Sequence, residues 1–246
     1  MAIIAASILD ADQTRLRDEV TRVAEAGVDA FSLDLMDGRF VPRTTFGDET
    51  VEQVRSWVDL PIEVHLMVEQ PETWARRMTD AGADMVLFHL EATEHPLVFV
   101  DLVREAGRVP GMAVRHDTPL DAIPDDLLAA VGLVNLVAVP VGWGGSPSAA
   151  DTFERIAQLR RRIDDAGLAT GIEVDGGIKP ETATRYAEAG ADMLTVGTGI
   201  YRADDVEEAV LTLRGSTQGP GDAAARERLH GFLSRPSSNR TANERA

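Results

Sequence analysis

The chain has 246 residues, 44% hydrophobic and 26% charged, an ordinary balance for a soluble globular protein with a substantial core. That length suits one (β/α)8 barrel or one to two smaller domains. A formal net charge of −17 works against a nucleic-acid surface, and no apolar run reaches about 18 residues, so neither nucleic acid nor membrane is expected as a partner.

Cysteine is absent, which removes disulfides, thiolate chemistry and Cys-based metal sites and fits a cytoplasmic location. Residues 3–6 follow Met1 with no basic leader and read as a first strand. In chain order, strands are expected at 3–8, 30–34, 62–67, 85–89, 111–114, 133–139, 171–174 and 193–196. Helical stretches are expected near 12–26, 48–58, 72–81, 96–106, 120–130, 149–166, 181–189 and 204–214. Eight alternating units of this length predict an α/β protein with a closed, parallel (β/α)8 TIM barrel over residues 1–214.

The punctuation agrees. Ala26-Gly27-Val28-Asp29, Ala81-Gly82-Ala83-Asp84 and Ala189-Gly190-Ala191-Asp192 each end a helix and precede a strand. Gln70-Pro71, Thr118-Pro119 and Lys179-Pro180 mark helix starts. After Arg214, residues 215–221 have linker composition, 223–233 could form one short helix, and 234–246 reads as disordered. The part from 215 onward carries +2, which leaves −19 on residues 1–214. An anionic substrate entering so acidic a body needs a local anion site.

Functional groups in this fold gather at the C-terminal ends of strands. Those ends carry Ser7, Ser32 with Asp34, His65 with Met67, His89, Arg115, the loop 142–145, Asp175, and Gly197 with Thr198. Residues two apart on a strand share a face, so Ser32 and Asp34 project together, as do His65 and Met67. Two carboxylates, Asp34 and Asp175, flanking one small molecule can remove a proton from one face of a carbon and return it to the other. Glycine-bearing loops after the last three strands, with Gly142, Trp143, Gly144, Gly145, Gly176, Gly177, Gly197 and Thr198, offer backbone amides to a phosphate. His89 could orient a ligand from its strand end. Lys179 is the only lysine and sits at a helix start, which disfavours Schiff-base chemistry.

Seven segments resemble the ribulose-phosphate 3-epimerase family and its sugar-phosphate epimerase relatives. They are Ala6-Ser7-Ile8-Leu9 with Asp12, the run from Asp34-Leu35-Met36-Asp37-Gly38 to Pro42, Val64-His65-Leu66-Met67, His89-Leu90-Glu91-Ala92, Gly142-Trp143-Gly144-Gly145, Glu173-Val174-Asp175-Gly176-Gly177-Ile178, and Gly197-Thr198-Gly199-Ile200-Tyr201. The resemblance covers residues 1–214 in family order. It implies an isomerase of the pentose phosphate pathway that inverts the carbinol carbon beside the ketone of a phosphorylated ketose. D-ribulose 5-phosphate and D-xylulose 5-phosphate are the default pair. It also implies Asp34 and Asp175 as acid/base residues, Met36 and Met67 as an apolar wall, and a divalent metal (Zn, Fe, Mn or Co) on Asp34, His65 and Asp175. No organic cofactor is expected, and a homo-oligomer is.

The pattern departs from the family at four places near the active end. Ser32 stands where the family has a metal-binding histidine, which leaves three donors and predicts weaker metal binding. Arg115-His116 replaces Asn-Pro. Val139-Pro140-Val141-Gly142 replaces Val-Asn-Pro-Gly, with Val137 for a methionine two residues upstream. Arg43 replaces an asparagine. Arg115 could place its guanidinium near the enediolate oxygens or pair with an acid such as Glu91. Epimerisation of a hexulose or tetrulose phosphate, and non-catalytic phosphosugar binding, stand as alternative functions.

Overall fold

A computed structural model describes residues 2–143, 145–217 and Glu227. Eight strands, β1 (Ile3–Ser7), β2 (Ala30–Met36), β3 (Ile62–Met67), β4 (Met85–His89), β5 (Val109–Val114), β6 (Leu133–Val137), β7 (Gly171–Asp175) and β8 (Met193–Val196), form one closed barrel. Every neighbouring pair is parallel, and β8 closes onto β1 through Ile3 opposite Met193. The intervening helices are α1 (Leu16–Glu25), α2 (Asp48–Trp57), α3 (Glu72–Asp80), α4 (Pro96–Glu105), α5 (Asp125–Ala130), α6 (Thr152–Asp165) and α7 (Ala183–Ala189). A short α8 (Thr198–Tyr201) and α9 (Val206–Ser216) follow β8.

Period-two alternation divides the strand residues between two cores. The outward set, such as Phe31, Leu33, Val64 and Ile172, packs under the apolar stripes of the helices, for instance Val51 and Val54 of α2 and Ile156, Leu159 and Ile163 of α6. Each such Leu or Phe contributes roughly 1.5–3 kcal/mol by leaving water. The inward set fills the barrel bottom with Ile3, Ala5, Ala30, Met85, Leu87, Val109, Leu133 and Met193. One layer higher the inward residues turn polar: Ser32, Glu63, Asn135, Glu173 and Thr195 are all buried. Ser32 Oγ donates to Glu63 Oε1 at 3.0 Å and the Thr195 hydroxyl donates to Glu173 Oε1, which leaves Oε2 of each glutamate buried without a hydrogen-bond partner. Burial pushes both carboxyls up, Glu63 to about 7, so the pair can share a proton.

The recurring Ala-Gly-x-Asp turns have a common structural use at the N-terminal ends of the strands. Gly27, Gly82 and Gly190 take φ of 93°, 108° and 116°, the left-handed region that ends the preceding helix. Each following aspartate then accepts an amide from the first or second residue of a neighbouring strand: Asp29 from Ile4, Asp84 from Ile62 and Asp192 from Ile172. Arginines from the outer helices and loops hold these carboxylates, Arg214 on Asp29, Arg55 and Arg108 on Asp84, and Arg160 on Asp192.

Several boundaries differ from the sequence expectation: β2 runs on to Met36 rather than 34, β5 begins at Val109 rather than 111, and α5 begins at Asp125 rather than near 120. The sixth strand stops at Val137 rather than 139, because Pro140 and the following glycine-rich turn draw the chain out of the ladder. Residues 215–217, expected to open a linker, are bound to the barrel instead. Helix α9 runs through Ser216, and the Thr217 carbonyl accepts the Ala2 amide at 3.1 Å, so residues 215–217 close the barrel floor. The short helix expected over 223–233 and the tail expected to be disordered fall outside the described residues, Glu227 excepted.

Candidate active site

The C-terminal ends of the strands surround one open pocket. Asp34 enters it from β2, His65 from β3 and Asp175 from the last residue of β7. Asp34 is fixed on both oxygens: Ser7 Oγ donates to Oδ2 at 2.9 Å, and His65 Nδ1 lies 3.0 Å from Oδ1. The Asp34 carbonyl and the Met36 amide are both engaged by the Thr45 hydroxyl, which locks the end of β2. Asp175 Oδ2 lies 3.8 Å from His65 Nδ1, so both carboxylates converge on one imidazole nitrogen. Burial above all, and then the charge of Asp34, push the Asp175 carboxyl up to about 8. His65 is raised despite complete burial, because Asp34 accepts from it and Asp34 and Asp175 surround it with negative charge.

A second histidine supports the first. His65 Nε2 lies 3.0 Å from Nε2 of His89, whose Nδ1 faces Glu91 Oε2 at 3.1 Å. Glu91 is in turn held by the Arg115 amide at 3.0 Å and by the Thr118 hydroxyl.

One ligand atom from each of Asp34, His65 and Asp175 lies within 4.8 Å of the others, a candidate metal site. Two carboxylate oxygens and an imidazole nitrogen are a donor set that suits zinc, manganese or iron(II), so the residues fit a divalent ion. Ser32 takes no part. Its hydroxyl turns down to Glu63, one layer beneath the mouth.

Most of the expected site residues meet in this pocket. Ser7, Met36, Met67, Gly142, Trp143, Gly145, Gly176, Gly177, Gly197 and Thr198 line it with the three ligand residues, while Gly144 lies outside the described residues. Gly176 and Gly177 have φ of 106° and 73°, and a Cβ on Gly177 would fall 2.4 Å from the Ser148 amide nitrogen. Only glycine allows these two loops to meet. Arg43 donates from Nη1 to the Gly142 carbonyl at 2.7 Å and ties the loop after β2 to the loop after β6.

Arg115 does not reach the pocket wall, as one expectation had it. Its guanidinium stacks over the Phe40 ring at 4.5 Å, and its link to Glu91 runs through the backbone amide rather than the guanidinium. Sequence reading passed over Asp10, which lines the pocket, and took Glu91 as a partner for Arg115, whereas its carboxylate braces His89. A signal for Asp10 existed. It lies three residues after Ser7 in a 3₁₀ turn, where i and i+3 side chains fall on one side.

A closed parallel barrel whose strand ends bring two carboxylates and an imidazole onto one small pocket defines a TIM-barrel enzyme built for acid/base chemistry. A family model described as the ribulose-phosphate 3 epimerase family matches residues 3–201. The chain is 38% identical over 212 residues to ribulose-phosphate 3-epimerase of Mycobacterium tuberculosis, covering 86% of this chain and 91% of that one. It is 37% identical over 217 residues to the Bacillus subtilis enzyme of the same name, covering 88% and 100%. The chain belongs to the ribulose-phosphate 3-epimerase family. Solved structures at lower identity share the fold. Orotidine 5'-phosphate decarboxylase from Pyrococcus horikoshii superposes with a TM-score of 0.62 at 19% identity, covering 88% of this chain and 100% of that one. Among the described residues no helix is long and apolar enough to cross a membrane.

Proposed function

We propose that this chain is a ketose-phosphate 3-epimerase interconverting D-ribulose 5-phosphate and D-xylulose 5-phosphate. The observation that carries the reading is the convergence of Asp34 and Asp175 on one pocket with His65 between them. Inversion beside a ketone needs a base on one face of the carbinol carbon and an acid on the other. In one direction Asp34 takes the proton, held for that role by the Ser7 hydroxyl. Asp175 delivers a proton to the opposite face, and burial and the Asp34 charge raise its carboxyl and so favour the acid form. One proton leaves carbon and one arrives, and the reverse reaction exchanges the two roles. Met36 and Met67, both buried, form an apolar wall that keeps water from the reacting carbon.

A divalent metal held by Asp34, His65 and Asp175 would supply positive charge beside the oxygens that become anionic when the proton leaves. The amides of Gly176–Gly177, Gly197–Thr198 and the loop 142–145 bind the phosphate, which offsets the acidity of the barrel as a whole. The same reading places the enzyme in the cytoplasm as a homo-oligomer, with exposed Leu97 and Val98 of α4 available for burial between copies.

The test is deuterium wash-in from solvent at the carbon beside the ketone. It is run over pentulose, hexulose and tetrulose phosphates with and without a chelator. Exchange is expected fastest with the pentulose phosphates and slowed by the chelator. A protein that binds phosphosugar without catalysing inversion gives no exchange with any of them.

A further inference from the structure

Asp10 puts a carboxylate where the proposed reading needs an anion to bind. The residue ends the 3₁₀ turn after β1 and is half-buried at the pocket wall. Its side chain reaches across to the end of β8. A Cβ added to Gly197 would fall 2.1 Å from Asp10 Oδ2, so the carboxylate lies directly against the Gly197 backbone, where the Thr198 amide favours its charge. Gly197 and Thr198 form one arm of the amide cradle assigned above to phosphate.

We propose that Asp10 is a resident competitor in this cradle, which the substrate phosphate must displace, and so a residue that sets affinity and specificity. This rests on the reading of the pocket as a phosphosugar site. The surroundings suit a carboxylate that is held but not locked. Burial is the largest effect and works against its charge, as does nearby Asp34. The charges of Arg202 and Arg43 favour its ionised form and supply cations for the displaced carboxylate or the arriving phosphate. Asp10 also accepts a hydroxyl hydrogen bond while repelling a phosphate dianion. It therefore narrows the difference in affinity between a phosphorylated ketose and its free sugar.

The probe is inorganic phosphate itself, titrated into the full chain and its Asp10→Ser and Asp10→Asn variants by calorimetry. KM and kcat for D-ribulose 5-phosphate and binding of free D-ribulose are measured alongside. Asp10→Ser is expected to tighten phosphate binding about tenfold, an effect that weakens at high salt. Asp10→Asn keeps an acceptor for the Thr198 amide without the charge and should give a smaller gain in the same direction. KM for the ketose phosphate falls with the phosphate constant while kcat moves less, and free ribulose gains nothing. Phosphate binding that is unchanged or weaker in both variants overturns the proposal, as does a chain that binds no phosphate in any form. Because phosphate binding is read without turnover, tighter binding in variants that exchange no substrate proton would support the role of Asp10 and defeat the epimerase reading alone.

Discussion

Nε2 of His65 lies 3.0 Å from Nε2 of His89, and only one arrangement of protons satisfies the whole chain of contacts from Asp34 to Glu91. Burial alone would raise Glu91, but His89, the Thr118 hydroxyl and the Arg115 amide together hold it down to about 2, so it is a carboxylate. It accepts the Nδ1 proton of His89, which burial pushes down to about 4 and keeps neutral. The His89 Nε2 lone pair must then accept a proton from His65 Nε2, which leaves His65 Nδ1 to face Asp34 and Asp175. Replacing His89 with phenylalanine removes the acceptor. Metal affinity, measured by competition with a chelator, should fall roughly 10–100-fold. His89→Gln keeps an acceptor at that site and should recover part of the loss. Equal losses in both variants would mean that His89 only fills space.

The two aspartates should fail in different ways. Asp34→Asn and Asp175→Asn each remove one acid/base group, and kcat for inversion should fall about 10²–10⁴-fold in either variant. Proton exchange is more discriminating. Each epimer gives up its proton to one carboxylate, so each variant should still exchange the carbon-bound proton of one epimer and lose exchange with the other. Wash-in measured separately from D-ribulose 5-phosphate and D-xylulose 5-phosphate reads this directly. Loss of exchange from both epimers in only one variant would show that a single carboxylate does all the proton transfer.

Metal binding and stability should be linked through Asp175. In the metal-free chain its carboxyl is raised from 3.8 to about 8. Over that window the unfolded chain has released the proton and the folded chain has not, so the folded state loses stability as pH rises from about 4 to 8. A divalent metal favours the ionised form and lowers this pKa. Added zinc or manganese should therefore raise Tm more at pH 8 than at pH 6, with proton release on binding at the lower pH. A metal-induced Tm gain that is flat across this range would remove Asp175 from the ligand set.

The barrel was legible because its signals are local: alternation within strands, apolar stripes on helices and the Ala-Gly-x-Asp turns. Asp34 and Asp175 were legible as well, since strand ends in this fold share one face however far apart they lie in sequence. What local pattern could not convey was direction and partnership across the barrel. Arg115 follows β5 and faces Phe40 instead of the pocket, because the backbone leaves the ladder there. Ser32 shares a face with Asp34, yet its hydroxyl commits to Glu63 on the next strand. The Glu63–Glu173 pair joins residues 110 apart and had no signature in either segment alone. Ser32→His places an imidazole beside that pair and beneath Asp34. It should tighten metal binding by adding a fourth donor, and a chelator competition that shows no gain would mean that the ring is held by Glu63 instead.

The floor of the barrel should behave as a structural element separate from the mouth. Asp192 is fully buried, accepts the Ile172 amide at 3.0 Å and pairs with Arg160 at 3.0 Å. Asp192→Ala leaves the Ile172 amide without its acceptor and Arg160 with only Asp164 and the Thr170 carbonyl, and breaking such a buried pair costs about 3–5 kcal/mol. For a chain of this size that lowers Tm by roughly 10 °C. Asp192→Asn keeps an acceptor for the amide and should recover part of the loss, and adding Arg160→Met to Asp192→Ala should recover more by removing the charge that lost its buried partner. Asp192 sits at the N-terminal end of β8, opposite the pocket, so kcat/KM per folded molecule at low temperature should stay near that of the parent. A large drop in kcat/KM without a drop in Tm would show that the Ala-Gly-x-Asp floor controls the geometry of the mouth.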